Sequence, residues 1–152
     1  MDILELLKKD HENMLLLFDE LDRTGERARM RTVRQNKLFE QLRQELELHM
    51  LGEEEVFYAA LGGDEIIRPI VRDALEEHRN ARRLLAELIT TQEDEKWFST
   101  ISALRDTVER HIEEEEDDLF ENAEGILDGE QRNAMGNRIV EIKDRHLANM
   151  SR

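Results

Sequence analysis

The sequence contains no cysteine, which removes disulfides, thiolate metal sites and a cysteine nucleophile, and accords with a reducing compartment. One proline, seven glycines and an aromatic share of 5% are too few turn formers and rings for a sandwich or barrel of many short strands. Long apolar runs are missing too. Met14 to Phe18 is among the longest, far short of the ~20 residues that span a bilayer. The start, Met1-Asp2-Ile3-Leu4-Glu5, lacks the basic region and apolar stretch of a secretory leader. Positive charge is scarce: 22 Lys and Arg stand against 37 Asp and Glu, a net charge of −15. No basic cluster interleaved with aromatics relieves this, so nucleic acids and anionic membranes are disfavoured partners. Nor is there a Gly-rich phosphate loop, a dinucleotide fingerprint or a Ser/His/Asp arrangement. The expectation is a soluble, cytoplasmic protein whose 152 residues form one domain, 1–152.

What is abundant is apolar residues at helical spacing. Leu4, Leu7, His11, Met14, Phe18 and Leu21 recur at steps of three and four, one stripe of a helix that Gly25 stops. Thr32 with Gln35 predicts a capping box opening a second helix, whose stripe is Leu38, Leu42, Leu46, His49, Glu53, Val56 and Ala60 and whose end is Gly62-Gly63. Asp64 is placed to cap a third helix with Pro69 near its start; its buried face is Ile67, Val71, Ala74 or Leu75, His78, Leu85 and Leu88. After a polar linker at 90–94, a fourth helix carries Phe98, Ile101, Leu104, Val108, His111, Glu115 and Leu119. A shorter fifth helix follows Asp128-Gly129 with Met135, Ile139, Ile142 and His146 on one side. Short connections favour antiparallel neighbours. The fold class expected is all-α, an up-down-up-down antiparallel four-helix bundle over about 1–125 with an extra C-terminal helix at about 128–150.

The chain also repeats itself. His11, Asn13, Leu17, Glu20 and Leu21 recur 67 residues later as His78, Asn80, Leu84, Glu87 and Leu88. A shift of 62 maps Leu42, Leu46, Glu47, His49, Glu53 and Glu54 onto Leu104, Val108, Glu109, His111, Glu115 and Glu116. Two similar helical hairpins packed face to face bring four histidines, one per helix, toward one interior layer.

Residues four apart on a helix lie only about 40° from each other round its axis, so His49 shares a face with Glu53 and His111 with Glu115. The run Glu113 to Asp118 puts six acids in succession, which cannot all face water if the helix packs. A buried, unpaired carboxylate costs several kcal/mol, and two facing each other also repel. Something positive must sit between them. Neutral imidazoles and carboxylates suit borderline first-row metals, and facing helices of a bundle are a place to build a two-metal carboxylate site. The residues predict a dinuclear centre.

Together His11, His49-x-x-x-Glu53, His78 and His111-x-x-x-Glu115 resemble the hemerythrin-like, or HHE cation-binding, domains over roughly residues 1 to 125. The resemblance implies a pair of non-haem iron ions, oxo- or hydroxo-bridged, with Glu53 and Glu115 as bridging carboxylates and His11, His49, His78 and His111 as terminal ligands. Zinc or manganese are possible substitutes, since such ligands select weakly among these metals. It further implies that the centre binds or reacts with a small ligand, namely oxygen, peroxide or nitric oxide, and, if an enzyme, is a di-iron oxidoreductase. The alternative is a metal- or oxygen-responsive regulatory module, or an iron storage or donation protein. Oxygen-carrying hemerythrins have a further histidine one turn after that of the third helix, where this chain has Arg82. Four histidines leave iron more open, which speaks against reversible oxygen carriage.

Some positions keep two readings. Glu116, five residues after His111, competes with Glu115 as second bridge. The Arg82 guanidinium is a rival partner for the two glutamates in a metal-free bundle. Tyr58, five residues past Glu53, either approaches the centre or caps the bundle end with its hydroxyl in solvent; the latter is preferred. His146 is read as no ligand, and Trp97 as bundle-end packing.

Overall fold

The structure, a computed structural model, describes residues 1–25 and 30–150; residues 151 and 152, which the expected domain includes, lie outside them. Five helices account for the architecture. Helix α1 is Ile3–Gly25. Helix α2 runs from Val33 to Gly52, widens into a π-helical turn over Glu53–Tyr58 and closes with Ala59–Leu61. Helix α3 is Arg68–Thr90. Helix α4 runs from Asp94 to Glu114, passes through a second π-helical turn at Glu115–Leu119 and continues over Phe120–Ile126. Helix α5 is Gly129–Met150. Around the bundle α1 packs on α2, α2 on α3, α3 on α4 and α4 on α1, while α5 lies against α1 and α2. This is the expected four-helix bundle with an added helix.

The helix starts have local causes. Thr32 Oγ1 accepts from the Gln35 amide at 3.1 Å, and Gln35 Oε1 accepts from the Thr32 amide at 2.8 Å, the reciprocal box that satisfies two orphan donors. Asp128 and Gln131 form a second such box before α5, at 2.8 and 2.9 Å. Asp64 does not cap α3 itself. Its Oδ1 accepts from the amides of Ile66 and Ile67, organising the turn that precedes the helix, and the helix begins at Arg68 with Pro69 in its first turn. Pro69 is harmless there because first-turn amides lack intrahelical partners anyway.

The π-helical turns correct the expected stripe of α2. Ala60 is exposed, whereas Val56, Phe57 and Tyr58 are buried in succession and Leu61 follows. A wider turn with i to i+5 bonding shifts the register by about one residue, so the 3.6-residue stripe that holds through Val56 points away from the core at Ala60. On α3 it is Ala74 that is buried, Leu75 only partly.

The interior has two apolar clusters. One contains Met14, Phe18, Leu42, Leu46, Leu85, Leu104 and Val108, and is closed at its end by Trp97, which is 1% exposed and stands edge-to-face on Phe39 at 5.9 Å. The other contains Ile3, Leu7, Val56, Phe57, Val71, Leu119 and Phe120, together with Met135 and Ile139 from α5. Each large side chain so buried contributes about 1.5–3 kcal/mol. Between the clusters, one turn from Leu7 and Met14 on α1 and from Val108 and Leu119 on α4, lies a polar layer.

Helix α5 and the N-terminus meet at Gly136, where an added Cβ would fall 2.0 Å from the Met1 carbonyl oxygen. Gly136→Ala raises helix propensity by about 1 kcal/mol but must displace backbone. The expected outcome is a net loss of about 1–2 kcal/mol in urea unfolding followed by circular dichroism; a gain in stability contradicts this packing.

Candidate metal centre

The polar layer contains His11, His49, Glu53, His78, His111 and Glu115, all buried. The sequence placed these six on inward stripes, and the structure brings all six together. Their interior-facing atoms fall into two groups that share Glu53. His11, His49, Glu53 and Glu115 form one; Glu53, His78 and His111 form the other. The rings pair accordingly, His11 with His49 and His78 with His111, each at 4.8 Å between centroids.

Both carboxylates span the two groups. Glu53 Oε1 stands 3.0 Å from Nε2 of His49 and 3.0 Å from Nε2 of His78. Glu115 puts Oε1 3.2 Å from His11 Nε2 and Oε2 3.2 Å from His111 Nε2. Several of these approaches lack hydrogen-bond geometry. His11 Nε2, His49 Nε2, Glu53 Oε2 and Glu115 Oε1 are buried without any hydrogen-bond partner. Four orphaned polar atoms converging on one point are costly unless a cation takes their lone pairs. The donor set fits a metal on this observation alone.

Each histidine is held from behind by its own carboxylate through Nδ1. His11 pairs with Glu116 at 2.8 Å, His49 with Asp10 at 2.8 Å, His78 with Glu54 at 2.6 Å and His111 with Glu77 at 2.8 Å. An ionised carboxylate only accepts, so Nδ1 carries the proton and Nε2 of the neutral ring turns its lone pair inward. These four outer acids are a layer that sequence reasoning missed, although the repeats contained it. Asp10 and Glu77 each precede a histidine 67 residues apart, and Glu54 and Glu116 each follow a central glutamate 62 residues apart. The same geometry puts Glu115 and Glu116 in different places. Glu115 is at the centre and Glu116 orients His11 from a half-exposed position.

One rival reading is set aside and one expectation is corrected. Arg82 does not neutralise Glu53 and Glu115; its side chain is 40% exposed and pairs at 2.8 Å with Glu54, so it supports the acid behind His78. Tyr58 does not cap the bundle end in solvent. It is 3% exposed, with its hydroxyl against Glu115 Oε2, 3.2 Å from Glu53 Oε1 and 3.3 Å from His78 Nε2. In a straight α-helix a residue five positions on lies about 140° away round the axis; the π-helical turn brings position 58 back under Glu53. The 62-residue repeat places Phe120 at the corresponding position of α4, where it stacks on His11 at 5.9 Å. The two halves therefore differ: one histidine pair meets a hydroxyl, the other a plain ring. His146 is exposed and belongs to neither group.

With this geometry in hand, the comparisons are specific. The family profile of the hemerythrin HHE cation-binding domain matches residues 2–123. The chain belongs to that family. Among solved structures it is similar to a hemerythrin HHE cation-binding domain-containing protein from Mycobacterium kansasii, with a TM-score of 0.78 and 22% identity over 99% of this chain and 93% of that one. At that identity the likeness concerns the fold, including α5, which lies beyond the matched profile. No curated protein matches the sequence.

The electrostatics of this HHE domain follow from confinement. Burial opposes charge on His49, but Glu53 and Asp10 outweigh it and hold the imidazole up to about 9. Burial likewise opposes charge on His111, yet Glu115, Glu53 and Glu77 push it well above its ordinary range. Burial would raise Glu53, but the charge of His49 and its hydrogen bonds hold it well below. Burial and the adjacent negative charges of Glu115 and Glu53 push the Tyr58 hydroxyl well above its usual range. Without metal, protons on the imidazoles supply the positive charge. His49 then contributes stability that is complete below its unfolded value of 6.5 and lost as pH rises through about 9. The metal-free protein is expected to melt at a lower temperature at pH 9.5 than at pH 6.5, in thermal scans by circular dichroism. A rise over that interval contradicts the assigned pairing.

No helix among the described residues is long and apolar enough to cross a membrane.

Proposed function

We propose that the protein is a non-haem di-iron protein whose histidine and glutamate centre binds or reacts with oxygen, peroxide or nitric oxide. The observation that carries this reading is the set of four orphaned, buried donor atoms, two imidazole nitrogens and two carboxylate oxygens, on four residues whose ligand atoms lie within 4.8 Å of one another. His11, His49, Glu53 and Glu115 would hold one ion, and Glu53, His78 and His111 the other, with Glu115 reaching both. Two divalent ions would bring four positive charges against two central carboxylates, in place of the imidazole protons. Iron, when bound, supplies redox chemistry and a coordination position open to a small ligand.

The residues of the chain supply the rest. The outer acids hold each imidazole in the tautomer that presents Nε2. The apolar clusters above and below keep bulk water from the layer. Counting Glu115, which reaches both, each group has two histidines and two carboxylates, and what distinguishes them is the hydroxyl of Tyr58 on the side of His78 and His111. There Tyr58 holds a proton between the two carboxylates, placed to donate a hydrogen bond to what binds. The unit proposed is the whole chain, 1–152, working in the cytoplasm on a small-molecule partner, with neither nucleic acid nor membrane.

Protein produced with ample iron is expected to carry about two irons per chain by elemental analysis, with near-ultraviolet charge-transfer absorption that peroxide or nitric oxide alters. His49→Ala and His111→Ala should each lose at least one iron, and Asp10→Asn should weaken retention of iron by about 10–100-fold in competition with a chelator. Full-length, folded protein without metal or band overturns the proposal. Metal that responds to none of the three ligands returns the protein to storage or donation.

A further inference from the structure

Four carboxylates stand behind the four histidines, and their surroundings are unequal. Asp10 is matched by Lys143 of α5 at 2.5 Å, and Glu54 by Arg82 at 2.8 Å. Glu116 feels Lys8. Glu77 differs: it shares its space with another carboxylate, Glu114 of α4, and Glu114 is raised above its ordinary range by that neighbour. Arg110 moderates the pair but does not enter the space in front of it.

That space is a cavity of about 230 Å³ between α3 and α4. Asp73 and Glu77 line it from one helix, Glu114 and Asp118 from the other, each pair one turn apart; no Lys or Arg is among its lining residues. Asp73, Glu114 and Asp118 are exposed and Glu77 is half-buried, so the acids run from the surface inward. The inner end is formed by His111 and by Glu115. Glu115 is 3% exposed and its Oε1 has no hydrogen-bond partner. The cleft at Asp10 is of a different kind, because it contains Lys143. A net negative, low-dielectric funnel ending on two residues of the centre, His111 and Glu115, concentrates cations and repels anions.

We propose that this cleft is the port through which a divalent cation reaches and leaves the centre, with Asp73 and Asp118 receiving the hydrated ion at the mouth and Glu77 and Glu114 passing it to Glu115 and His111. Passage beside Glu77 has a consequence for the centre. An ion held there draws on the carboxylate that orients His111, so loading and alignment of that histidine are linked. The three other histidines, whose outer acids do not line the cleft, stay in place during transit. The inference rests on the reading of the layer as a metal centre and adds the route.

The test uses the full-length protein stripped of metal and Co²⁺ as an optical probe, mixed by stopped flow and followed by its visible absorption. Wild type, Asp73→Asn/Asp118→Asn, Asp73→Lys and a remote control of equal charge loss at two exposed acids of α5, Glu130→Gln/Glu141→Gln, are compared. Asn at 118 keeps the acceptor that Asn122 uses now, so the fold is not at stake. The double variant should load about tenfold more slowly than wild type at low ionic strength, and Asp73→Lys more slowly than wild type also. Final absorbance and cobalt stoichiometry should be unchanged. The difference should shrink as salt is raised toward about 0.5 M, where charges at the mouth are screened, and the control should load like wild type. Equal rates for wild type and the double variant, or equal slowing by Glu130→Gln/Glu141→Gln, overturn the port while leaving the centre intact. Wild type that takes up no cobalt overturns the metal-centre reading itself.

Discussion

Two carboxylates held in a dry layer between apolar clusters need positive charge, and the rest of the molecule is arranged round that need. Glu53 and Glu115 are 0% and 3% exposed, too deep for water to solvate either. The bundle meets the need with imidazoles from four helices, each able to present a proton or a metal-binding lone pair. The two states are interchangeable at the same atoms, because the outer acids keep Nδ1 protonated in both and leave Nε2 to change partner. This gives the layer a dependence on pH without metal that is opposite in sign to the dependence of metal binding, since metal must displace the protons that stabilise the empty site.

The duplicated hairpin supplies near symmetry, and the departures from it differentiate the two halves. Tyr58 and Phe120 occupy equivalent positions under their glutamates, yet one brings a hydroxyl to the layer and the other a hydrocarbon face on His11. The outer acids are equivalent by repeat and unequal by neighbour: Lys143 and Arg82 pair with two of them, Lys8 and Arg110 act on the others from a distance, and the cavity and Glu114 flank Glu77 alone. Polar hydroxyl and acidic cleft both fall on the side of His78 and His111. Helix α5 takes part through Lys143, so a segment beyond the family profile supports the acid that orients His49.

Much of this was legible in the chain. Stripes at three- and four-residue spacing located the four helices and the histidines on them, and the His-x-x-x-Glu spacing placed Glu53 and Glu115 beneath His49 and His111. The inward stripe ran correctly along α1 and α4, where Leu4 through Leu21 and Ile101 through Leu119 are buried. It failed at Ala60 and Tyr58, because both lie beyond a π-helical turn and the rule of 100° per residue assumes an unbroken α-helix. Arg82 was read as a rival for the central glutamates, since sequence indicates that a cation is one turn from His78 but not how far its flexible side chain reaches toward solvent.

Local periodicity thus determined the helices, their inward faces and the identity of the six central side chains, since these depend only on spacing along a regular helix. Which carboxylate stands behind which histidine was decided by packing between helices: Asp10 on α1 serves His49 on α2, and Glu77 on α3 serves His111 on α4. So were the position of Tyr58 and the acidic cleft, which need two helices at a given separation before they exist. A helix specifies its own faces; the chemistry between faces belongs to the assembled bundle.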